Sequence, residues 1–403
     1  MKKMMMMLLL SVACVALQAQ QTTLSGIVTD AKSGNPIAQA TVAMAGVSVV
    51  TNDDGMFTLK VKPAAGTLTV SHIGYRTVRV KVSDNHSAPV TVRLQPTAIQ
   101  LKEVVVWNED PWKLIEQALE KVPDNYNTTP QLYRSFYRET AQKRSRYIYV
   151  AEGVVDMYKT GYQKTVYRDR VAIVKGRRLV SPKQSDTLGV KVLGGPTLPV
   201  QLDVVKNTAF LLNQEELSKY TLGMAPAAVI DDRLQYVITL TPYVEQSYPL
   251  SYGKLYIDRE TLAFTRAELS LDMRDRQKAS NYMLHKKPHG VRFKPKEMSC
   301  LIDYRTVDGK TTIHYVRNTF RFGCDWKRRL FSTNFTAVAE LVVTDRLPDV
   351  RPISGRESFD SRDAFFDHVD YFRDPDFWKD YNIIEPTESL DKGIGKIIKK
   401  HLK

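Results

Sequence analysis

The sequence predicts a mainly β protein, a seven-stranded N-terminal sandwich followed by a larger antiparallel β domain with a few packing helices. Residues 22–95 break into seven short alternating runs separated by Gly, Asn, Asp and Pro, the pattern of half-buried strands joined by tight turns. Residues 131–346 continue in longer runs rich in Val, Tyr, Thr and Phe, which favour a pleated, half-buried surface. The chain has 403 residues, 43% hydrophobic and 25% charged. Those are globular proportions, and no apolar run reaches the roughly 18–20 residues of a membrane span. A multispanning helical membrane protein is excluded.

The first 19 residues are expected to leave the mature chain. Lys2 and Lys3 precede an apolar stretch from Met4 to Val15, and Leu17-Gln18-Ala19 supplies a small-residue exit. This is the layout of a secretory signal peptide. Cys14 follows Ser11-Val12-Ala13; a lipid-attachment site needs Leu where Ser11 stands, so Cys14 is read as part of the apolar stretch. Removal of residues 1–19 lowers the formal charge from +14 to +12. A basic protein outside the cytoplasm meets anionic lipid headgroups, acidic glycans and envelope proteins. The expected location is the periplasm or the periplasmic face of the outer membrane, with outer-membrane or periplasmic proteins, an anionic lipid or a glycolipid as partner, and no nucleic acid. The run Tyr133-Arg134-Ser135-Phe136-Tyr137-Arg138 interleaves aromatic and basic residues, but period-two alternation explains it as a strand.

Within residues 22–95 the strands are expected at Thr23–Thr29, Ala40–Met44, Ser48–Thr51, Phe57–Val61, Thr67–His72, Thr77–Val82 and Val90–Leu94. Asn52-Asp53-Asp54-Gly55 reads as a turn. It lacks the spaced oxygen ligands and closing Glu of a calcium loop. Four segments, Ser25-Gly26-Ile27-Val28-Thr29-Asp30, Gly34-Asn35-Pro36-Ile37 with Ala40-Thr41-Val42, Thr51-Asn52-Asp53-Asp54-Gly55-Met56-Phe57 and Val70-Ser71-His72-Ile73-Gly74-Tyr75, closely resemble the carboxypeptidase regulatory-like domain. The resemblance implies a transthyretin-like sandwich that serves as an accessory module of secreted and outer-membrane proteins, including TonB-dependent transporters. It does not imply peptidase activity. Zinc carboxypeptidases need a His-x-x-Glu pair, because Zn²⁺ takes three protein ligands and leaves one open position. None of the seven histidines has Glu three residues later.

Residues 96–130 form a connector. Leu101-Lys102-Glu103-Val104-Val105-Val106 is similar to the segment that follows this domain in the transporters, whose plug and barrel need far more chain than remains here. Asp110 and Pro111 are expected to open a helix that buries Ile115, Ala118, Leu119 and Val122 before Pro123 ends it. In the second domain, strands are expected at Leu132–Glu139, Tyr147–Tyr158, Thr165–Val174, Gln235–Pro242, Tyr252–Asp258, Thr265–Met273, Gly290–Tyr304, Thr311–Phe322 and Phe331–Val343. Asn213 and Glu216 have capping-box spacing. The two-residue turn at Asp308-Gly309 sets Cys300 opposite Arg317 and leaves Cys324 about 24 Å along the strand at roughly 3.4 Å per residue. A disulfide would need a bend there. Tyr252-Gly253-Lys254-Leu255-Tyr256-Ile257-Asp258 with Thr261 and Leu262 resembles the strand-turn-strand of lipoprotein-carrier-like half-barrels, which implies a curved sheet around helices and an apolar groove for acyl chains.

Residues 347–403 read as a helical tail with a basic end. One helix is expected from Asp360 or Ser361 over Phe365, Phe366, Val369 and Phe372, another from Asp374-Pro375 over Phe377, Trp378 and Tyr381, and a last one capped by Thr387. Ile394, Ile397, Ile398 and Leu402 set against Lys396, Lys399, Lys400 and Lys403 form a basic amphipathic pattern suited to an anionic bilayer surface.

Catalytic motifs are missing. The sequence has no Gly-x-Ser-x-Gly, Walker A, Gly-x-Gly-x-x-Gly or His-Glu-x-x-His, and its two Ser-x-x-Lys matches fall on a strand start and the basic tail. No catalytic residue, cofactor or metal ligand is assigned. The expected function is a noncatalytic cell-envelope protein in which the sandwich interacts and the β-rich domain binds a lipid-like ligand or an outer-membrane partner. Arg168, Arg170, Arg177 and Arg178, or Lys286, Lys287 and Arg292, would meet an anionic headgroup. The alternatives are a structural or assembly partner of an outer-membrane complex, with a filled core and no small ligand, and an envelope glycan or peptide hydrolase, with converging polar groups of shifted pKa.

Overall fold

The structure is a computed structural model that describes residues 22–62, 65–83, 88–97, 109–183, 186, 192–284, 290–326, 332–371, 374 and 376–401. The signal-peptide segment, Cys14, the connector strand at residues 101–106, Lys286, Lys287 and Lys403 lie outside these residues. The mainly β expectation holds.

All seven N-terminal strands form: β1 (Thr22–Asp30), β2 (Thr41–Met44), β3 (Val47–Val50), β4 (Met56–Val61), β5 (Gly66–Ser71), β6 (Val78–Val82) and β7 (Val90–Leu94). They make a three-stranded sheet, β4-β1-β7, and a four-stranded sheet, β3-β2-β5-β6. Alternate apolar residues such as Leu24, Val28, Val42, Phe57, Leu59, Leu68, Val70, Val92 and Leu94 meet in the core between them. Gly55 sits at φ +73, and a Cβ there would lie 2.6 Å from the Val28 carbonyl oxygen. The left-handed turn at this position therefore needs glycine. The Asn52 side chain closes the same turn by accepting from the backbone N–H groups of Asp54 and Met56.

The second domain is one 11-stranded sheet built from β8 (Gln131–Lys143), β9 (Arg146–Lys159), β10 (Arg170–Val180), β11 (Tyr220–Ile230), β12 (Arg233–Pro242), β13 (Ser251–Asp258), β14 (Phe264–Leu271), β15 (Val291–Val307), β16 (Lys310–Trp326), β17 (Thr333–Leu347) and β18 (Asp370–Tyr371). Their order is β11-β12-β13-β14-β15-β16-β17-β8-β9-β10-β18. β8 follows β17 in space, so the first hairpin of the domain closes onto its last long strand. Two strands were not legible in the sequence. β11 contains Gly223 and Pro226 and is broken by a bulge between Ala225 and Ala228; proline and irregularity are tolerated because it is an edge strand.

One face of this sheet is covered by the chain itself. Helix Pro111–Glu120 begins as expected, with the Asp110 side chain accepting from the Trp112 N–H, and buries Leu114, Ile115 and Ala118. Pro123 does not end the helical stretch but sits in the first turn of a second short helix, Val122–Asn125, where its missing N–H costs nothing. A plug of short helical turns follows β10, including Thr197–Gln201 and Gln214–Leu217. The latter is capped by Asn213, which accepts from the Glu216 N–H. Val200, Val204, Val205, Leu211, Leu212 and Leu217 of the plug share one buried cluster with Tyr137, Val155, Leu255, Ile302 and Leu341 of the strands.

The tail corrects the expected pair of helices. Residues 360–371 give a single turn of 3₁₀ helix, Phe365–His368, and then β18, which runs parallel to β10; Phe372 lies outside the described residues. Gly153 and Gly176 face each other across β9 and β10, and their missing side chains leave a notch. A Cβ on Gly153 would stand 2.4 Å from the Phe365 ring, and one on Gly176 2.3 Å from Val369. Seating Phe365 and Val369 in that notch outweighs helix propensity, because burying each large apolar side chain contributes roughly 1.5–3 kcal/mol. Beyond β18 the chain crosses to the opposite face of the sheet. There Trp378, Ile383 and Ile384 pack with Phe136, Val154, Tyr315 and Val342, and with Val50 of the sandwich.

Candidate functional site

The sandwich is docked on the sheet at two ends. At one end Lys60 bonds to the tail through its ammonium to the Trp378 and Tyr381 carbonyls, while Asn382 exchanges hydrogen bonds with the Lys60 backbone. Asp53 pairs with Arg317 at 3.1 Å, and Asp54 accepts from the Glu388 N–H at 2.7 Å. Both aspartates of the expected turn thus hold the domains together. At the other end the Gly74 N–H donates to the Val229 carbonyl at 2.9 Å, and the Thr77 N–H to Asp232 at 2.9 Å.

Between the two anchors lies a cavity of about 240 Å³. Its sandwich wall carries Thr41 and Ser71, which are cross-strand partners, with Thr69, Thr77, His72 and Arg79. Its sheet wall carries Asp231, Arg266, Asp303, Arg305 and His314. His314 reaches this wall through a register change. The hairpin pairs Val307 with Lys310 and Tyr304 with Ile313, as the Asp308-Gly309 turn dictates, but Asp303 then faces Tyr315, leaving His314 as the extra residue of a bulge. Bulges re-aim side chains in this way. The same bulge moves Cys300 opposite Asn318 rather than Arg317, and Cys300 and Cys324 are both free thiols.

Three groups at this cavity lack partners. His314 is 3% exposed and its Nε2 has no hydrogen bond. Burial, reinforced by the nearby Arg305 charge, pushes its pKa down to about 3 although it bonds the Val343 carbonyl, so the ring is neutral and Nε2 is an acceptor. The Thr77 hydroxyl is buried and also unpartnered. Among the described residues no hydrogen bond or ion pair satisfies the Arg305 guanidinium; burial lowers its pKa, and Asp231 opposes that only through space. Arg266, by contrast, is held by Asp303 at 2.8 Å and Glu268 at 2.7 Å.

Of the residues expected to bind an anionic headgroup, the described ones, Arg168, Arg170, Arg177, Arg178 and Arg292, are dispersed. Arg168 is exposed on a 3₁₀ turn, and Arg170 donates to the Tyr167 carbonyl. Strand alternation sends Arg177 and Arg178 to opposite faces: Arg177 pairs with Glu152 at 2.6 Å against Trp378, and Arg178 donates to the Phe366 carbonyl over the Phe366 ring. Arg292 is exposed on β15 opposite Asp325, far along the strand from His314.

Lys396 and Lys399 are exposed on helix Glu388–His401, with Lys400 half-buried, and Thr387 caps that helix through the Leu390 N–H. The apolar side expected to enter a bilayer is partly used within the fold: Ile397 is buried, Ile394 and Ile398 are half-buried, and the helix, with Leu390 also buried, packs on β9 and β10; Leu402 lies outside the described residues. Gly393 permits this contact, since a Cβ there would lie 2.9 Å from Tyr147. Gly393→Leu is expected to lift the helix off the sheet and expose it to limited proteolysis while the rest of the chain stays folded. An unchanged digestion pattern would show that the contact does not hold the helix.

The deepest charged cluster lies under the plug. Lys159 bonds Asp203 at 2.7 Å and lies 3.6 Å from Asp169, while Lys206 reaches Asp169 at 2.6 Å. The hydroxyls of Tyr162 and Tyr304 each donate to Asp203 at 2.9 Å. Two ammonium groups and two carboxylates neutralise one another; one oxygen, Asp169 Oδ2, has no hydrogen bond and faces Lys159 at 3.6 Å. Closed in this way, they join plug to sheet and offer no open coordination or reaction site. Among the described residues no group of His, Cys, Asp and Glu is arranged to hold a metal ion.

Residues 24–106 match the family described as CarboxypepD_reg-like domain. The N-terminal sandwich is therefore a carboxypeptidase regulatory-like domain, about a fifth of the chain. No curated protein matches the sequence. Among solved structures, MucB in complex with MucA(peri) is 12% identical, covering 60% of this chain and 100% of that one at a TM-score of 0.17. The LolA superfamily protein NE2245 from Nitrosomonas europaea is 13% identical over 60% and 98%, with a TM-score of 0.20. A DUF1329 family protein from Desulfovibrio piger is 11% identical over 58% and 91%, with a TM-score of 0.22. Likenesses at these scores carry no inference about ligand or partner. Among the described residues no helix is long and apolar enough to cross a membrane.

Proposed function

We propose that this protein is a noncatalytic component of the bacterial cell envelope that acts through contacts with envelope proteins, and that it does not carry lipid in its sheet. The observation that supports this reading most is the occupancy of the sheet face where a carrier would hold an acyl chain. Helix Pro111–Glu120, the plug and Phe365 fill that face with the chain's own apolar side chains. An acyl chain would have to displace the plug and break the Lys159–Asp203 contact beneath it. The regulatory-like domain at the N-terminus and the signal-peptide pattern of residues 1–19 support export. Absence of a nucleophile–base pair or metal cluster in the motifs of the sequence supports a role without catalysis.

Native mass spectrometry of the mature protein after gentle extraction, with organic-phase analysis of anything released, tests the reading. The expected result is a mass without bound lipid or glycolipid, in a periplasmic or membrane-peripheral fraction. A stoichiometric lipid or glycolipid would overturn it and restore the carrier reading.

A further inference from the structure

We propose that the cavity between sandwich and sheet is a binding site for a small hydroxylated carboxylate of the acidic-sugar class. The argument begins from the unpartnered groups. A guanidinium partly withdrawn from water without a carboxylate is costly, and an unmade buried hydrogen bond costs more than a made one contributes. Yet the Nε2 of His314 and the hydroxyl of Thr77 are buried and unpaired beside one cavity, whose lining also holds the half-buried Arg305 without a carboxylate partner. Their chemistries differ in a way that selects the occupant. Arg305 presents a planar fork of donors that fits a carboxylate. His314 presents an acceptor and so calls for a donor, which a bare carboxylate or fully ionised phosphate lacks. Thr41, Ser71 and Thr77 add hydroxyls that both donate and accept.

A ring carrying one carboxylate and several hydroxyls satisfies all three kinds of group together. A neutral sugar leaves Arg305 without a counter-charge. The volume, about 240 Å³, falls below the roughly 300–1,000 Å³ of pockets for drug-sized ligands, which sets the size at a single sugar ring. An α-amino acid meets the Arg305 requirement too, with its ammonium directed to Asp231. The hydroxyl-lined sandwich wall gives that ligand nothing to pair with, so the sugar acid is favoured.

Isothermal titration of the full mature chain with D-glucuronate, D-glucose, acetate and glycine tests the assignment. Glucuronate is expected to bind at least tenfold more tightly than each of the others. Arg305→Gln should lose at least tenfold in glucuronate affinity while raising the thermal midpoint of the empty protein, because it removes an uncompensated charge. His314→Phe should weaken glucuronate binding and leave the midpoint response to acetate unchanged. Equal binding of glucose would show that Arg305 does not read a carboxylate, equal binding of acetate that the hydroxyls are not read, and preferential binding of glycine that the occupant is an amino acid; each overturns the proposal. Heat signals absent for all four ligands would also overturn it and leave a water-filled joint. If a variant does not fold, the comparison of the four ligands on the unaltered chain still decides.

Discussion

Replacing Asp203 by alanine is expected to destabilise the fold by about 3–5 kcal/mol, the usual cost of removing one partner from a buried ion pair. Asp203 is 0% exposed and receives the Lys159 ammonium and the hydroxyls of Tyr162 and Tyr304. Its loss strands a buried cation and two phenols at once. Asp203→Asn keeps an acceptor for the tyrosines without the charge, and should fall between wild type and alanine. Burial by itself would push the Asp203 carboxyl up, but the Lys159 charge and the hydrogen bonds hold it below its ordinary 3.8. A carboxyl depressed in the folded state adds stability that is present above its unfolded value and is lost as pH falls through the lower folded one. The alanine variant should therefore lose part of the acid sensitivity of the wild type below about pH 4. Urea unfolding at pH 7 and pH 3 measures both effects. A loss under about 1 kcal/mol at pH 7, the scale of an exposed pair, would mean that the cluster does not fasten the plug.

The second large effect has the opposite sign with pH. Glu139 is buried on β8 and accepts from the hydroxyls of Tyr137 and Tyr149. Burial pushes its carboxyl from 4.5 up to about 7; the two tyrosine hydrogen bonds resist, and the Asp367 charge adds to the rise. Between these two values the folded protein holds a proton that the unfolded chain has released. The stability this proton confers is complete below about pH 4.5 and disappears as pH rises through about 7. Glu139→Gln should remove that slope and exceed the wild type above pH 7 by about 3 kcal/mol, taking about 1.4 kcal/mol per pKa unit. Denaturant titrations at pH 4.5, 6 and 8 distinguish the two chains. Parallel pH profiles would show that Glu139 ionises normally inside the fold.

These two clusters bear on function because they show where polar chemistry in this chain is already engaged. The Lys159 and Glu139 groups are closed by partners from the same molecule, as is the network in which Glu152 receives Arg138, Arg177 and the indole of Trp378. The cavity at His314 is different in kind, since residues with unpaired groups from two domains line the same space. That contrast, rather than the number of charged residues, singles it out.

Local chemistry was enough to read much of the fold. All seven sandwich strands follow from alternation and turn residues, because a short strand between tight turns needs little beyond its own neighbours to specify it. Asp110 and Asn213 announce their helices through caps that act within a single turn, and Asp308-Gly309 fixes a hairpin because few residues adopt the positive φ values found there, +52 and +74. The amphipathic pattern of residues 388–401 was equally legible, but its partner was not. An apolar stripe records only that something covers it, and here the cover is β9 and β10 rather than a bilayer.

Tertiary structure decided the rest. The Gly153–Gly176 notch turns a helix-like aromatic run into a 3₁₀ turn and an edge strand, since two glycines remote in sequence from Phe365 create the space it fills. Arg177 and Arg178 lie side by side in sequence yet end on opposite faces among different partners. One bulged residue re-registers β15 against β16, carries His314 out of the ladder and sets it in the lining of the cavity beneath the sandwich. Composition and periodicity specify elements one at a time, so the sequence by itself determined most of the strands, the caps and the N-terminal family. Burial and hydrogen-bond pairing depend on residues brought together from distant elements, and that is why the occupied sheet face and the open cavity appear only in the folded chain.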